Sequence, residues 1–169
     1  MGGHRSIVEL LLEANARVDV GEGPLLRACS NAGYRRDPKI VNLLLDAGAN
    51  PNDQEKTGRQ WTPLMYSSAQ GDAEVVQLLL GAQASVDVQS WANVSQMLLA
   101  GGHTALMLAC RFNQAPIVRM LLDAGASVNL KDENGLSVLD HVYEPSIKAY
   151  LTDNKLVKPI DNPKHLHAK

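Results

Sequence analysis

Four stretches of the chain repeat one pattern of apolar and polar positions. They are IVELLLEANARVDV from Ile7, IVNLLLDAGANPND from Ile40, VVQLLLGAQASVDV from Val75 and IVRMLLDAGASVNL from Ile117. From Val8 to Val41, Val76 and Val118 the steps are 33, 35 and 42 residues. Each stretch opens as an apolar helix and closes in a small, polar turn. Upstream of the last three lies a shorter helical motif: GPLLRACSNAG from Gly23, TPLMYSSAQGD from Thr62 and TALMLACRFNQ from Thr104. A fifth, degenerate unit, KDENGLSVLDHVYEPSIKAYL, occupies residues 131–151. Self-similarity at this period predicts a stack of helix pairs, in which no unit can bury its apolar side alone.

The local chemistry agrees with helix pairs. Pro24 and Pro63 suit the first helical position, where a missing N–H costs nothing. Thr62 and Thr104 stand where a hydroxyl caps the helix that follows. The first helices are short and rich in Ala, Ser and Cys, which lets neighbours approach closely. The second helices carry the Leu triplets that fill the space between layers. Gly48 and Gly125 follow those helices, where a left-handed residue ends the last turn. Asn15 replaces that glycine and tolerates the conformation. Gln83 replaces it too, at an expected cost of about 1 kcal/mol.

With these motifs in register, the chain resembles the ankyrin repeat family over about residues 3–151. The matching residues include Thr62, Pro63, Leu64, Gly71, Glu74, Val76 and Leu78 to Leu80, then Asp123, Gly125, Ala126, Val128 and Asn129. Asp132 and Gly135 open the last unit in the same manner. The resemblance implies an all-α ankyrin-repeat solenoid of stacked helix-turn-helix units with β-turn fingers. It divides residues 1–151 into a half repeat (3–19), repeats 20–52, 53–87 and 88–130, and a capping repeat (131–151). Residues 152–169 read as a flexible tail.

Several segments depart from the pattern. The first unit is only half a repeat, so it is expected to be either a fragment of a longer array or an N-terminal cap, with Arg5, Glu9 and Glu13 as a polar outer face. Residues 31–38 are longer than the family norm and predict a loop displaying Tyr34, Arg35 and Arg36. About nine residues are inserted between 88 and 102, and Gly101 and Gly102 return the chain to register. That insertion holds Trp91, Val94, Met97, Leu98 and Leu99; it either folds back on itself or presents an apolar contact. The last unit's first helix is about three residues short, and Pro145 opens its second. Leu26, Met65, Met107 and Asp140 stand where the family usually has His, so that residue's loop hydrogen bonds are not expected.

Composition narrows the function. The chain has 169 residues, a net charge of −2, 20% charged residues and 4% aromatics. No overall positive field directs it to nucleic acid or an anionic membrane. No apolar run approaches the roughly 18 residues of a membrane span. Two cysteines, Cys29 and Cys110, are too few for a disulfide framework, which suggests a reducing, intracellular location, cytoplasmic or nuclear. They occupy equivalent first-helix positions and read as small packing residues. No phosphate-cradling glycine loop and no nucleophile, zinc or redox motif is found, so neither enzyme activity, cofactor nor metal is expected. His165 and His167 in the tail are weak metal spacing.

The expected function is a protein-interaction module that binds a partner protein or peptide through its concave face and finger loops, as part of a larger protein. It is expected to be monomeric, without nucleic-acid or membrane partners. Candidate contacts are Arg59, Trp61, Tyr66, Gln70, Trp91, Arg111 and Phe112, because exposed aromatic and Arg residues dominate such surfaces. Phe112, the one Phe, either joins this surface or packs under the next unit. Alternatives are a regulatory, inhibitory or targeting subunit of a signalling or effector protein, and a substrate of an asparaginyl hydroxylase. The family resemblance places that modification at Asn129, within Ser127-Val128-Asn129.

Overall fold

The computed structural model describes residues 3–19, 23–30, 37–56, 58–91 and 101–153. The loop of Tyr34, Arg35 and Arg36, the insertion residues 92–100 and the tail from 154 lie outside them, as do the expectations attached to those segments.

Among the described residues the chain forms eight α-helices and no strand. They are α1 (Gly3–Glu13), α2 (Pro24–Ser30), α3 (Pro38–Asp46), α4 (Pro63–Gln70), α5 (Ala73–Gly81), α6 (Ala105–Arg111), α7 (Ala115–Asp123) and α8 (Pro145–Asp153). A one-turn 3₁₀ helix, Val138–His141, precedes α8. The short helices α2, α4 and α6 and the 3₁₀ helix pack side by side as one layer. The longer α1, α3, α5 and α7 follow one another in a second layer, and α2, α4 and α6 each also pack on the helix that follows them. This is the all-α stack of helix pairs that the repeats predict. No helix among the described residues is long and apolar enough to cross a membrane.

The caps explain why the helices begin and end where they do. The Thr62 hydroxyl accepts a hydrogen bond from the Met65 N–H at 3.2 Å, and the Thr104 hydroxyl from the Met107 N–H at 3.3 Å. Thr104→Ala is therefore expected to cost about 1 kcal/mol, measured by urea denaturation. Asp37 and Asp72 cap α3 and α5 in the same way. Gly48 and Gly125 are left-handed at φ 84° and 86°, and Asn15 and Gln83 adopt the same region at 58° and 62°. In the last unit Asp140 accepts from both the N–H and the hydroxyl of Ser137, and these bonds hold its carboxyl below the usual carboxylate range.

The core is aliphatic and continuous through the layers. Val41, Leu44, Leu64, Val76, Leu79, Leu106, Val118 and Leu121 are buried together. Met65 and Met107, standing in place of the family's His, are buried too and extend the apolar area. Cys29 and Cys110 are buried and not joined in a disulfide, and burial pushes the Cys110 thiol up to about 12. The first unit differs. Leu44, Leu79 and Leu121 are buried, yet the equivalent Leu11 is 53% exposed, with Ile7 and Leu10 beside it. A complete unit covers this position with its own first helix, and α1 has no such helix among the described residues. The outer side of α1 is therefore apolar as well as charged; Arg5 and Glu9 do pair at 3.4 Å. Leu11→Ala should change stability by about 0.5 kcal/mol or less, as for other surface positions, when followed by thermal unfolding.

Turns between units are tied by repeating bonds. Asn52 Oδ1 accepts the Ser85 N–H at 2.7 Å, and Asp87 Oδ1 accepts the Ser127 N–H at 2.9 Å. Each finger closes on itself: the Glu55 N–H donates to the Trp61 carbonyl at 3.2 Å and the Ser90 N–H to the His103 carbonyl at 2.9 Å. The Gly102 N–H returns the bond to the Ser90 carbonyl. Ser90 on one flank of residues 92–100 is thus pinned to Gly102 and His103 on the other.

Candidate functional site

The first helices and fingers carry the candidate contact residues, and the structure sorts them into groups. In the third unit, Arg59, Trp61 and Tyr66 come together. The Trp61 and Tyr66 rings meet edge to face, with centroids 5.0 Å apart and planes at 63°. The Arg59 guanidinium lies 4.9 Å from the centre of the Trp61 ring. A cation over an aromatic face contributes about 0.5–1 kcal/mol at an exposed site. The Tyr66 hydroxyl donates to the Glu55 carboxylate. Glu55 was not among the sequence candidates; its place at the foot of the finger, opposite Trp61, is what brings it into reach.

Burial changes the meaning of Trp61. It is 5% exposed and belongs to the core, so the free chain does not present it as a surface contact. The physical reason is the closure of the finger base: the Glu55 N–H bonds the Trp61 carbonyl, and Tyr66 of α4 meets the Trp61 ring while its hydroxyl reaches the Glu55 carboxylate. Trp61 instead supports Tyr66 from behind and Arg59 from below, and those two form the reachable edge of the group.

Along the same helix layer, Gln70 lies one turn beyond Tyr66 on α4. It is half-buried, and its Oε1 has no hydrogen-bond partner among the described residues. Phe112 holds the equivalent position after α6, where it forms the C-cap. It is 46% exposed, so it is not packed under the next unit. Arg111 beside it is half-buried. Trp91 is 65% exposed beside Ser90. The set therefore divides into an Arg59–Tyr66 edge, a Gln70–Arg111–Phe112 end of the first-helix layer, and Trp91 on the following finger. Tyr143, which is exposed in the last unit, was not anticipated; it follows the 3₁₀ helix, where the shortened unit breaks the periodicity that would have flagged it.

A second constellation was also missed. His103, Asp132 and His141 are all buried, and one donor atom from each lies within 4.8 Å of the other two. The His141 Nε2 is 3.1 Å from Asp132 Oδ2, and the His103 Nε2 is 3.9 Å from the same oxygen. The imidazole rings stand 5.1 Å apart at 57°. The sequence does hold a signal: His103 precedes a threonine cap, and His141 sits four residues after Ser137, the counterpart of that threonine. Trp61 and Tyr66 are related to Thr62 in the same two ways. These are positions from which side chains of the finger base and the first helix can meet.

Comparison with known proteins accords with the architecture. Residues 25–132, more than half of the chain, match the family model described as ankyrin repeats in three copies. The ankyrin repeat and KH domain-containing protein mask-1 of Caenorhabditis elegans is 32% identical over 139 residues, which is 80% of this chain and 5% of that protein. A putative ankyrin repeat-containing protein of Treponema pallidum is 32% identical over 140 residues, 81% of this chain and 43% of that protein. The glycerophosphocholine phosphodiesterase gde1 of Schizosaccharomyces pombe is 33% identical over 104 residues, 60% of this chain and 9% of that protein. The chain spans less than half the length of each of these relatives. The matching repeats, the stacked helix pairs and the extent of the family match together make this chain a member of the ankyrin repeat family.

Proposed function

We propose that this chain is a non-catalytic protein-binding module that engages a partner protein or peptide through its first-helix layer and fingers. Ankyrin repeats are generally protein-interaction modules. The observation that carries the reading for this chain is the exposure of Phe112 beside Arg111, at the position equivalent to Gln70 on the neighbouring unit. An exposed aromatic residue next to Arg on a rigid helix layer has the composition of a binding hot spot. Arg59 and Tyr66 extend the contact along α4, and Trp91 extends it onto the next finger.

The test is selection of peptides from a displayed library on the full chain, followed by titration of the winners. Phe112→Ala should weaken the selected peptides by about 2 kcal/mol or more, roughly thirty-fold in Kd. Undiminished binding by Phe112→Ala combined with Trp91→Ala would reject this surface.

A second reading is favoured by one difference between two turn asparagines. The Asn52 side chain is committed to the Ser85 N–H, whereas Asn129 is exposed and its own N–H rests on Ser127 Oγ at 3.4 Å. Asn129, rather than Asn52, is thus the better substrate for an asparaginyl hydroxylase. Incubation with such an enzyme should add one oxygen to the peptide containing Asn129; an unchanged mass discards the reading.

A further inference from the structure

We propose that His103, Asp132 and His141 form a buried site for one zinc-like divalent metal ion, which clips the last unit to the fourth. The donor set is two imidazoles and one carboxylate, which suits zinc and its neighbours in the first transition row. All three side chains are buried, and their donor atoms converge within 4.8 Å.

The spacing favours shared coordination over a simple hydrogen-bonded triad. Ligands held at about 2.0–2.2 Å from a tetrahedral ion lie roughly 3.3–3.6 Å from one another. The two imidazole nitrogens stand 3.1 and 3.9 Å from Asp132 Oδ2, on either side of that value. At 3.9 Å the His103 ring faces the carboxylate from beyond hydrogen-bonding distance. A shift of a few tenths of an ångström brings the two carboxylate contacts to that value, while the imidazole donors, which lie within 4.8 Å of each other, close by up to about 1.5 Å onto one ion.

The surroundings orient the donors as metal sites require. Asp132 Oδ1 accepts the N–H groups of Asn134 and Leu136, each at 2.9 Å, which leaves Oδ2 turned toward both rings. His103 is fixed through its backbone: its N–H donates to Ser90 Oγ at 3.0 Å. The two finger bases are pressed together. Gln89 Nε2 bridges the carbonyls of Gly102 and Lys131 at 2.8 Å each, and the Glu133 N–H donates to the Gly101 carbonyl at 3.1 Å. A cation between the rings also compensates the buried Asp132 carboxylate. The three ligands come from two adjacent units, so occupancy couples metal binding to docking of the last unit.

The test uses the full chain, purified without a histidine tag and carrying His165→Ala and His167→Ala so that the tail pair cannot compete. After chelator treatment it is titrated with zinc by calorimetry and with cobalt(II) by visible absorption. One ion per chain, the visible bands of a low-coordinate cobalt site and a rise in melting temperature with zinc are expected. His103→Gln and His141→Gln should each weaken zinc binding by at least about 100-fold and abolish the thermal shift, a larger loss than loss of a supporting contact causes. Asp132→Asn keeps an acceptor for the Asn134 and Leu136 N–H groups and should fold while losing the metal. The cobalt spectrum of the unsubstituted triad decides the matter even where a variant fails to fold. Uptake that does not saturate at one equivalent, an octahedral cobalt spectrum, or binding indifferent to the His changes would overturn the proposal.

Discussion

Trp61→Ala is expected to lower folding stability by about 3–5 kcal/mol, the range for removal of a large aromatic residue from a core. Trp61 is buried and lies against Tyr66, and Arg59 stacks on its face. Its removal leaves a cavity between a finger and the first-helix layer, and it frees both Tyr66 and Arg59. A surface residue would behave differently: stability would move by about 0.5 kcal/mol at most and only binding would suffer. Chemical denaturation of Trp61→Ala and Trp61→Phe separates the two roles. The Phe variant retains most of the ring and should recover a large part of the loss. A Trp61→Ala chain as stable as the parent would return Trp61 to the surface.

Gly102→Ala is the second large effect, about 3 kcal/mol or more. Gly102 has φ 83°, a conformation that costs an L-residue about 1–2 kcal/mol. A Cβ there would also stand 2.7 Å from the Glu133 nitrogen and 2.8 Å from the Asp132 Cα. Those neighbours are backbone, held by hydrogen bonds from Gln89 and Glu133, so they cannot step aside without parting the two finger bases. Gly48→Ala is the internal control. It shares the conformation at φ 84°, but nothing lies within 4 Å of its added methyl group. It should lose only the conformational cost. Equal losses at the two positions, by urea denaturation, would mean that close approach of the fingers contributes nothing.

Much of the fold is written in local signals. Thr62 and Thr104 cap through their hydroxyls, and Gly48, Gly125, Asn15 and Gln83 take the left-handed conformation their places require. The shortened first helix of the last unit becomes a single 3₁₀ turn, and Pro145 opens α8. These features depend on residues within a few positions of one another, which is why spacing reveals them. The site is less legible because it depends on contacts between elements. Whether the residue before a cap is buried depends on how the finger folds back, and this differs in detail from unit to unit. Trp61 and His103 occupy that same place, yet one stacks within its own unit and the other faces Asp132 and His141 of the next. Helical periodicity likewise identifies Leu11 as apolar, but its 53% exposure among the described residues depends on what packs beside α1. Phe112 was open to two readings for the same reason, and its exposure is a property of the layer, not of its own helix.

The account rests on units that are stable because their neighbours cover them. Native-state hydrogen exchange followed residue by residue tests this most directly. Amides of α4, α5 and α6, which pack on helices of the units on both sides, should exchange slowest, protection should fall through α3, and α1 should exchange fastest among α1, α3 and α5. Protection of α1 equal to that of α5 would contradict the account, because it would show a helix with an open apolar side held as firmly as one enclosed in the stack.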